Sequence, residues 1–267
     1  ILNKSEYFFS ATYAHFFPEK FEIDIYSENY IGDFDDKDAG AINFEYVDEV
    51  NYPFLHKDAS QDVLSPFFQT KDSPPNIVII LVEGLGRAYS NDGAYLGSFT
   101  PFLDSLSEHS LLWKNMLSQG GRTFAVLPSI LGSLPFGKNG FLDLGKMPDQ
   151  LSLLNLLKFN GYQTSFYYGG DANFDRMRQY IQVNQVDEIR DEKTFPSGYL
   201  KLPSINGFSW GYNDKELFRY FLSSRTITQN LKPQLSVILT VSTHNPFIIN
   251  ESEKYAQVLE SQMNSLK

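Results

Sequence analysis

The chain has 267 residues, 42% of them hydrophobic and 20% charged, a globular composition with enough apolar material for one large domain or two small ones. Its formal net charge of −10 argues against nucleic acid as a partner, because binding a phosphate backbone needs a basic patch; the absence of cysteine rules out disulfides and thiolate metal sites and leaves the compartment open. The longest aliphatic run, Ile77 to Val82, is far below the roughly 20 residues of a membrane-spanning helix, and the chain opens on Ile1 without a basic-then-apolar leader, so any targeting or anchoring is expected upstream of it.

The acidity is concentrated. Residues 1–75 hold 5 Lys, no Arg and 15 Asp plus Glu, which accounts for the whole net charge, and the remainder is neutral. This stretch is rich in aromatics (Tyr7, Phe8, Phe9, Phe16, Phe17, Phe21, Tyr26, Tyr30) and reads as a strap packed by those rings on a following domain. Its acidic run Asp33–Asp38 lacks the glycine spacing and closing glutamate of a calcium loop and reads as a solvated turn. A boundary falls at Ser73-Pro74-Pro75, and the texture then changes to alternating strands and helices over 76–267.

Asn76–Val82 reads as a parallel strand buried on both faces. Thr100-Pro101 opens a helix with Phe102, Leu103, Leu106 and Leu111 as its apolar face, and the segment after Thr123 is helix-like. Leu151–Asn160 is a helix stopped by Gly161, Gln163–Tyr168 a strand, Asp214–Leu222 a polar helix and Ser236–Val241 a third aliphatic strand. Tyr255, Val258, Leu259 and Met263 stand at helical spacing and begin an amphipathic helix. Strands alternating with helices imply an α/β fold with a largely parallel sheet, in which ligand sites gather at the carboxyl ends of the strands.

That rule selects a small set of side chains. Glu83, in VEGLG, leaves a central strand at its carboxyl end, where a carboxylate either binds a cation or caps a helix. Thr123, in GGRTF, places a hydroxyl at a helix N-terminus: it is either an ordinary cap or, beside a divalent cation, a nucleophile, with Arg122 at hand for an anion. Asp171, in YYGGDANFDRM, is a helix cap or a headgroup contact, with Arg176 and Arg178 close behind. His244, in STHNPF, is the histidine of four best placed for chemistry, whereas His15, His56 and His109 read as structural.

The ordered landmarks VEGLG, TPFLDSL, GGRT, FYYGGD, WGYND and STHNPF resemble the sulfatase-like branch of the alkaline phosphatase superfamily, nearest to lipoteichoic acid synthases and phosphoglycerol transferases. The resemblance implies a three-layer α/β/α domain and a divalent metal, Mn2+ or Mg2+, bound by Glu83 and Thr123, with Thr123 the nucleophile. It also implies contacts from Arg122, Asp171, Arg176 and His244 to an anionic lipid headgroup or envelope glycan. The setting it implies is a membrane-anchored enzyme with its catalytic domain outside the cytoplasm. Thr123 lacks the proline and arginine that follow the nucleophile of formylglycine sulfatases, which disfavours that route. The family completes its metal site with an Asp-His pair on a later strand; no such dipeptide occurs here, and the chain is expected to end before it. Hydrolysis of a sulfate or phosphate ester, and a non-catalytic relative that binds envelope glycopolymers, are the alternatives.

Overall fold

The structure is a computed structural model, which describes residues 44–58, 60–69, 72–118, 123–134, 149–227 and 232–254. The acidic run Asp33–Asp38, Arg122 and the segment from Tyr255 onward lie outside the described residues. In chain order the elements are β1 (Ile77–Leu81), α1 (Pro101–Ser107), α2 (Thr123–Gly132), α3 (Leu153–Phe159), β2 (Gln163–Tyr168), α4 (Met177–Val183), β3 (Glu188–Arg190), α5 (Asp214–Ile227) and β4 (Gln234–Leu239).

The four strands form one parallel sheet in the order β1-β4-β2-β3. Each strand needs a long return to run parallel to its neighbour, and the helices between strands supply these crossovers. Side chains alternate between the two faces. Phe166, Tyr168, Leu235, Val237 and Leu239 meet Leu127 and Leu131 of α2, Leu154 of α3 and Met177, Tyr180 and Ile181 of α4. On the opposite face Tyr167 and Ile238 pack on Leu217 and Phe221 of α5. Helix, sheet and helix are the three layers expected from the sequence.

Local chemistry sets the ends of the elements. Ser152 caps α3 by accepting the Asn155 N–H at 3.1 Å, and Gly161 leaves the helix with φ of +86°, which a side chain tolerates poorly. Pro128 lies inside α2, where it supplies no N–H to the ladder. Two expectations about packing change. β1 lies at the edge of the described sheet: Val78 is 40% and Ile80 47% exposed on one face, so among the described residues the strand is covered on one side only. Helix α1 forms where Thr100-Pro101 predicts it, yet Phe102 is 76% and Leu106 51% exposed, because no described element packs over that face.

Part of the region before β1 is described as a loop. Tyr46 and His56 form an antiparallel bridge, with Val47 N–H to the Leu55 carbonyl and Lys57 N–H to the Glu45 carbonyl. Its tip borders a hollow shared with Gly132–Leu134 and Asp149–Leu151. No helix among the described residues is long and apolar enough to cross a membrane.

Candidate active site at the carboxyl end of the sheet

The pairing register places Leu81 opposite Leu239, and Leu239 opposite Tyr168, so β1, β4 and β2 end in one row. The three segments that follow therefore leave the sheet side by side. They carry Glu83, the turn 240–247 and the turn 169–171.

Glu83 is fixed through its backbone. Its N–H donates to Thr240 Oγ1 at 2.8 Å, and its carbonyl accepts from Thr243 Oγ1, so the first strand's exit is tied to the β4 exit on both sides. Gly84 has φ of +62° and passes so close to the Thr243 carbonyl that a Cβ would sit 3.2 Å from that oxygen. The glycine thus turns against its own chain. From the other direction α2 begins at Thr123, and Thr123 Oγ1 donates to Glu83 Oε2 at 2.6 Å. A strand end and a helix N-terminus separated by 40 residues in sequence meet in one hydrogen bond.

This pair opens on a cleft of about 800 Å3, which Phe174, Asp175, Trp210 and His244 also line. His244 is held by its neighbours: its N–H donates to the Val241 carbonyl at 3.0 Å, and its ring lies 3.9 Å, centroid to centroid, from that of Trp210. The edge of the cleft is aromatic, with Phe174 and Phe208 each meeting Trp210 edge to face at 5.4 and 5.0 Å.

The remaining candidates are distributed unevenly. Asp171 is not among the residues that line this cleft; its carboxylate accepts from Asn173 N–H at 2.9 Å and pairs with Lys193 at 2.9 Å. Burial tends to raise its pKa, but the Asn173 N–H and Lys193 outweigh this and hold it below the usual carboxylate range. Arg176 caps α4 in a left-handed conformation with φ of 59°. Arg178 is committed to the buried Asp191. Asp175, which stands near the place of a tryptophan in the family resembled, lines the cleft instead, with φ of 47°. Two successive left-handed residues, neither of them glycine, turn Asp175 toward the cleft, and such backbone strain concentrates at functional sites. The GGDANFDRM segment gives no signal of that turn.

Mn2+ and Mg2+ take oxygen donors, and Glu83 with Thr123 offers two already in contact. Among the described residues no group of three or more His, Asp or Glu converges as a metal cage. The donor chemistry fits a hard divalent cation, which these two residues would hold together with water.

A parallel α/β/α sheet whose strand-end carboxylate meets a helix N-terminal hydroxyl is the arrangement that the resemblance in the sequence implies. The chain belongs to the Sulfatase family, whose profile matches residues 75–265. It is similar to phosphoglycerol transferase I of Xanthomonas campestris pv. campestris (strain B100), with 26% identity over 195 residues, covering 68% of this chain and 27% of the relative. The chain thus spans about a quarter of the length of that relative. Among solved structures it resembles an alkaline phosphatase superfamily protein from Vibrio parahaemolyticus, with a TM-score of 0.61 and 29% identity over 72% of this chain and 46% of that one. It shares its fold with the lipoteichoic acid synthase LtaP of Listeria monocytogenes, with a TM-score of 0.57 and 20% identity over 71% of this chain and 47% of that one.

Proposed function

We propose that this protein is a divalent-cation-dependent phosphoester transferase of the cell envelope, with Thr123 as nucleophile and a lipid phosphoglycerol headgroup as donor. The observation that carries the reading is the 2.6 Å hydrogen bond from Thr123 Oγ1 to Glu83 Oε2 at the cleft. A nucleophile within hydrogen-bond reach of a carboxylate is the geometry of an activated hydroxyl. Membership of the family and the likeness to phosphoglycerol transferases support this choice of substrate class.

When bound, the cation supplies positive charge that makes the threonine alkoxide accessible near neutral pH. Glu83 holds and orients the hydroxyl. As the Oγ1–P bond forms, the bond from phosphorus to the lipid oxygen breaks, the hydroxyl proton leaves through Glu83 to solvent, and the lipid alkoxide takes a proton. The phosphoglycerol carried on Thr123 then passes to an acceptor hydroxyl, which restores the threonine. His244 and Asp175 stand at the edge of this exchange, and Arg122, Asp171 and Arg176 belong to the headgroup-binding set implied by the resemblance. Residues 1–75 act as a strap on the catalytic domain at 76–267. The protein works outside the cytoplasm at a membrane surface, in envelope polymer or glycolipid modification.

Because Glu83 and Thr123 alone leave a cation held mostly by water, this 267-residue chain is expected to be inactive by itself. The test therefore offers a form extended through the strand expected to carry the Asp-His pair a phosphatidylglycerol-type phosphodiester, a phosphate monoester and a sulfate ester in parallel, with Mn2+ or Mg2+ added. Turnover of the diester above both monoesters, lost in Thr123→Ala, supports the reading. Preference for the sulfate ester would make it a sulfatase, and binding of envelope glycans without any turnover would make it a non-catalytic relative; either result overturns the reading.

A further inference from the structure

A backbone carbonyl faces one ring nitrogen of His244. Asn245 O accepts from Trp210 Nε1–H at 2.9 Å and lies 2.8 Å from His244 Nδ1. A carbonyl oxygen only accepts, so Nδ1 must carry the hydrogen, and in the neutral ring Nε2 is then the bare nitrogen. This is the less common tautomer of histidine in water. Two donors, one from an indole and one from an imidazole, converge on the same oxygen, while the two rings lie 3.9 Å apart at 46°.

Trp210 is itself held rigidly, by glycines. The turn after β2 and the segment before α5 run in backbone contact: Tyr212 N–H donates to the Gly169 carbonyl at 2.8 Å. A Cβ on Gly169 would sit 2.3 Å from the Tyr212 oxygen, one on Gly170 2.8 Å from the Trp210 oxygen, and one on Gly211 2.2 Å from the Gly169 oxygen. Only glycine fits at these crossings, and their closeness brings the indole to the imidazole. The GGD and WGY motifs, 41 residues apart, thus serve one contact.

We infer that Trp210 is the positioning residue for His244: its Nε1–H anchors the Asn245 carbonyl, which fixes the imidazole as the Nδ1–H tautomer and leaves Nε2 as the group available to a ligand in the cleft. Trp210 itself acts through the histidine. The tautomer is a property of the chain alone; its use, as a proton carrier or a hydrogen-bond partner for a substrate oxygen, rests on the phosphoester reading.

Long-range 1H–15N spectra of the imidazoles at alkaline pH read the tautomer directly. His244 is assigned by the signal that vanishes in His244→Gln, which is needed because His56 Nδ1 also lies on a carbonyl, that of Lys57, at 3.1 Å. The wild-type protein should show His244 with Nδ1 protonated and Nε2 bare. Trp210→Phe keeps a ring against the imidazole and removes the donor; the Nε2–H form should rise several-fold. Phe208→Ala removes the ring beside Trp210 without touching either donor and should leave the His244 signals unchanged. A wild-type His244 in the Nε2–H form overturns the inference whether or not any variant folds. So does a Trp210→Phe protein with native amide dispersion and an unchanged tautomer, or a Phe208→Ala protein in which the tautomer shifts. In the phosphodiester assay Trp210→Phe should lower kcat about tenfold, part of what a positioned acid or base contributes, with KM little changed. Absence of wild-type turnover would defeat the phosphoester reading and leave the spectra to decide the tautomer.

Discussion

Asp214 sits where α5 meets the β4 exit, and its carboxylate organises that junction. Oδ1 accepts from Val241 N–H at 2.7 Å and Ser242 N–H at 3.1 Å, and its own N–H donates to Ser242 Oγ at 2.8 Å. Burial raises its pKa; the N–H donors of Val241 and Ser242 oppose that rise, and the charge of Glu83 adds to it, leaving the group above its ordinary 3.8. A carboxyl whose folded pKa exceeds its unfolded one contributes most below the unfolded value, and that contribution is lost as pH rises through the folded pKa. Asp214→Asn keeps an oxygen for both N–H groups and removes the charge. It should flatten this part of the pH dependence and be at least as stable as the wild type at pH 7. Asp214→Ala leaves two backbone donors unpaired and should cost about 1–3 kcal/mol for each. Urea unfolding of the three proteins from pH 3.5 to 7 checks both expectations. At this scale the positions of Glu83, Thr123 and His244 at strand ends and a helix start, though not their roles, were legible in the sequence, because such ends are written in local pattern. Asp175 was not, because its direction depends on two left-handed residues that no composition rule marks, and Asp171 turned instead to Asn173 and Lys193.

Elements are joined by contacts with different tolerances. Asp191, directly after β3, is 0% exposed; it pairs with Arg178 of α4 and accepts the Ala172 N–H at 3.3 Å and the Lys193 N–H at 3.2 Å. Arg178→Met should cost about 3–5 kcal/mol by stranding that carboxylate, and Arg178→Met with Asp191→Leu should recover part of the loss, since removing both partners leaves no buried charge. Thermal unfolding of the single and double variants measures the difference. The glycine crossing behaves otherwise, because backbone meets backbone and no side chain can give way. Gly211→Ala faces a contact of 2.2 Å at φ of +104° and should lose about 1–3 kcal/mol from crowding alone. Its indole fluorescence should change as Trp210 moves; an unchanged emission with unchanged stability would refute the role given to the crossing. A helix after Asp171 was one of two readings of the sequence, though α4 starts six residues later, and β3 was not foreseen. β3 is three residues long, and α4 follows a turn whose left-handed residues are not glycine. The longer strands β1, β2 and β4 were legible from their apolar runs, to within two residues at each end.

At the scale of the molecule, aligned strand ends convert scattered sequence positions into one cleft. Glu83, Thr123 and His244 span 162 residues of chain and line the same cavity, because β1 and β4 end in register and α2 begins beside Glu83. The fold class was readable because alternation of strands and helices leaves few topologies. The covering of β1's outer face was not, since periodicity shows that a strand is apolar and not what lies against it. The central claim concerns Thr123, and trapping its intermediate tests it most directly. The extended form of the protein is mixed with a phosphatidylglycerol-type diester and Mn2+, quenched in acid, digested and read by mass spectrometry. The account predicts a phosphoglycerol adduct on Thr123 that needs the cation, is absent in Thr123→Ala and is lost in Glu83→Gln. Turnover of the diester that persists in Thr123→Ala, or an adduct on any other residue, would contradict it.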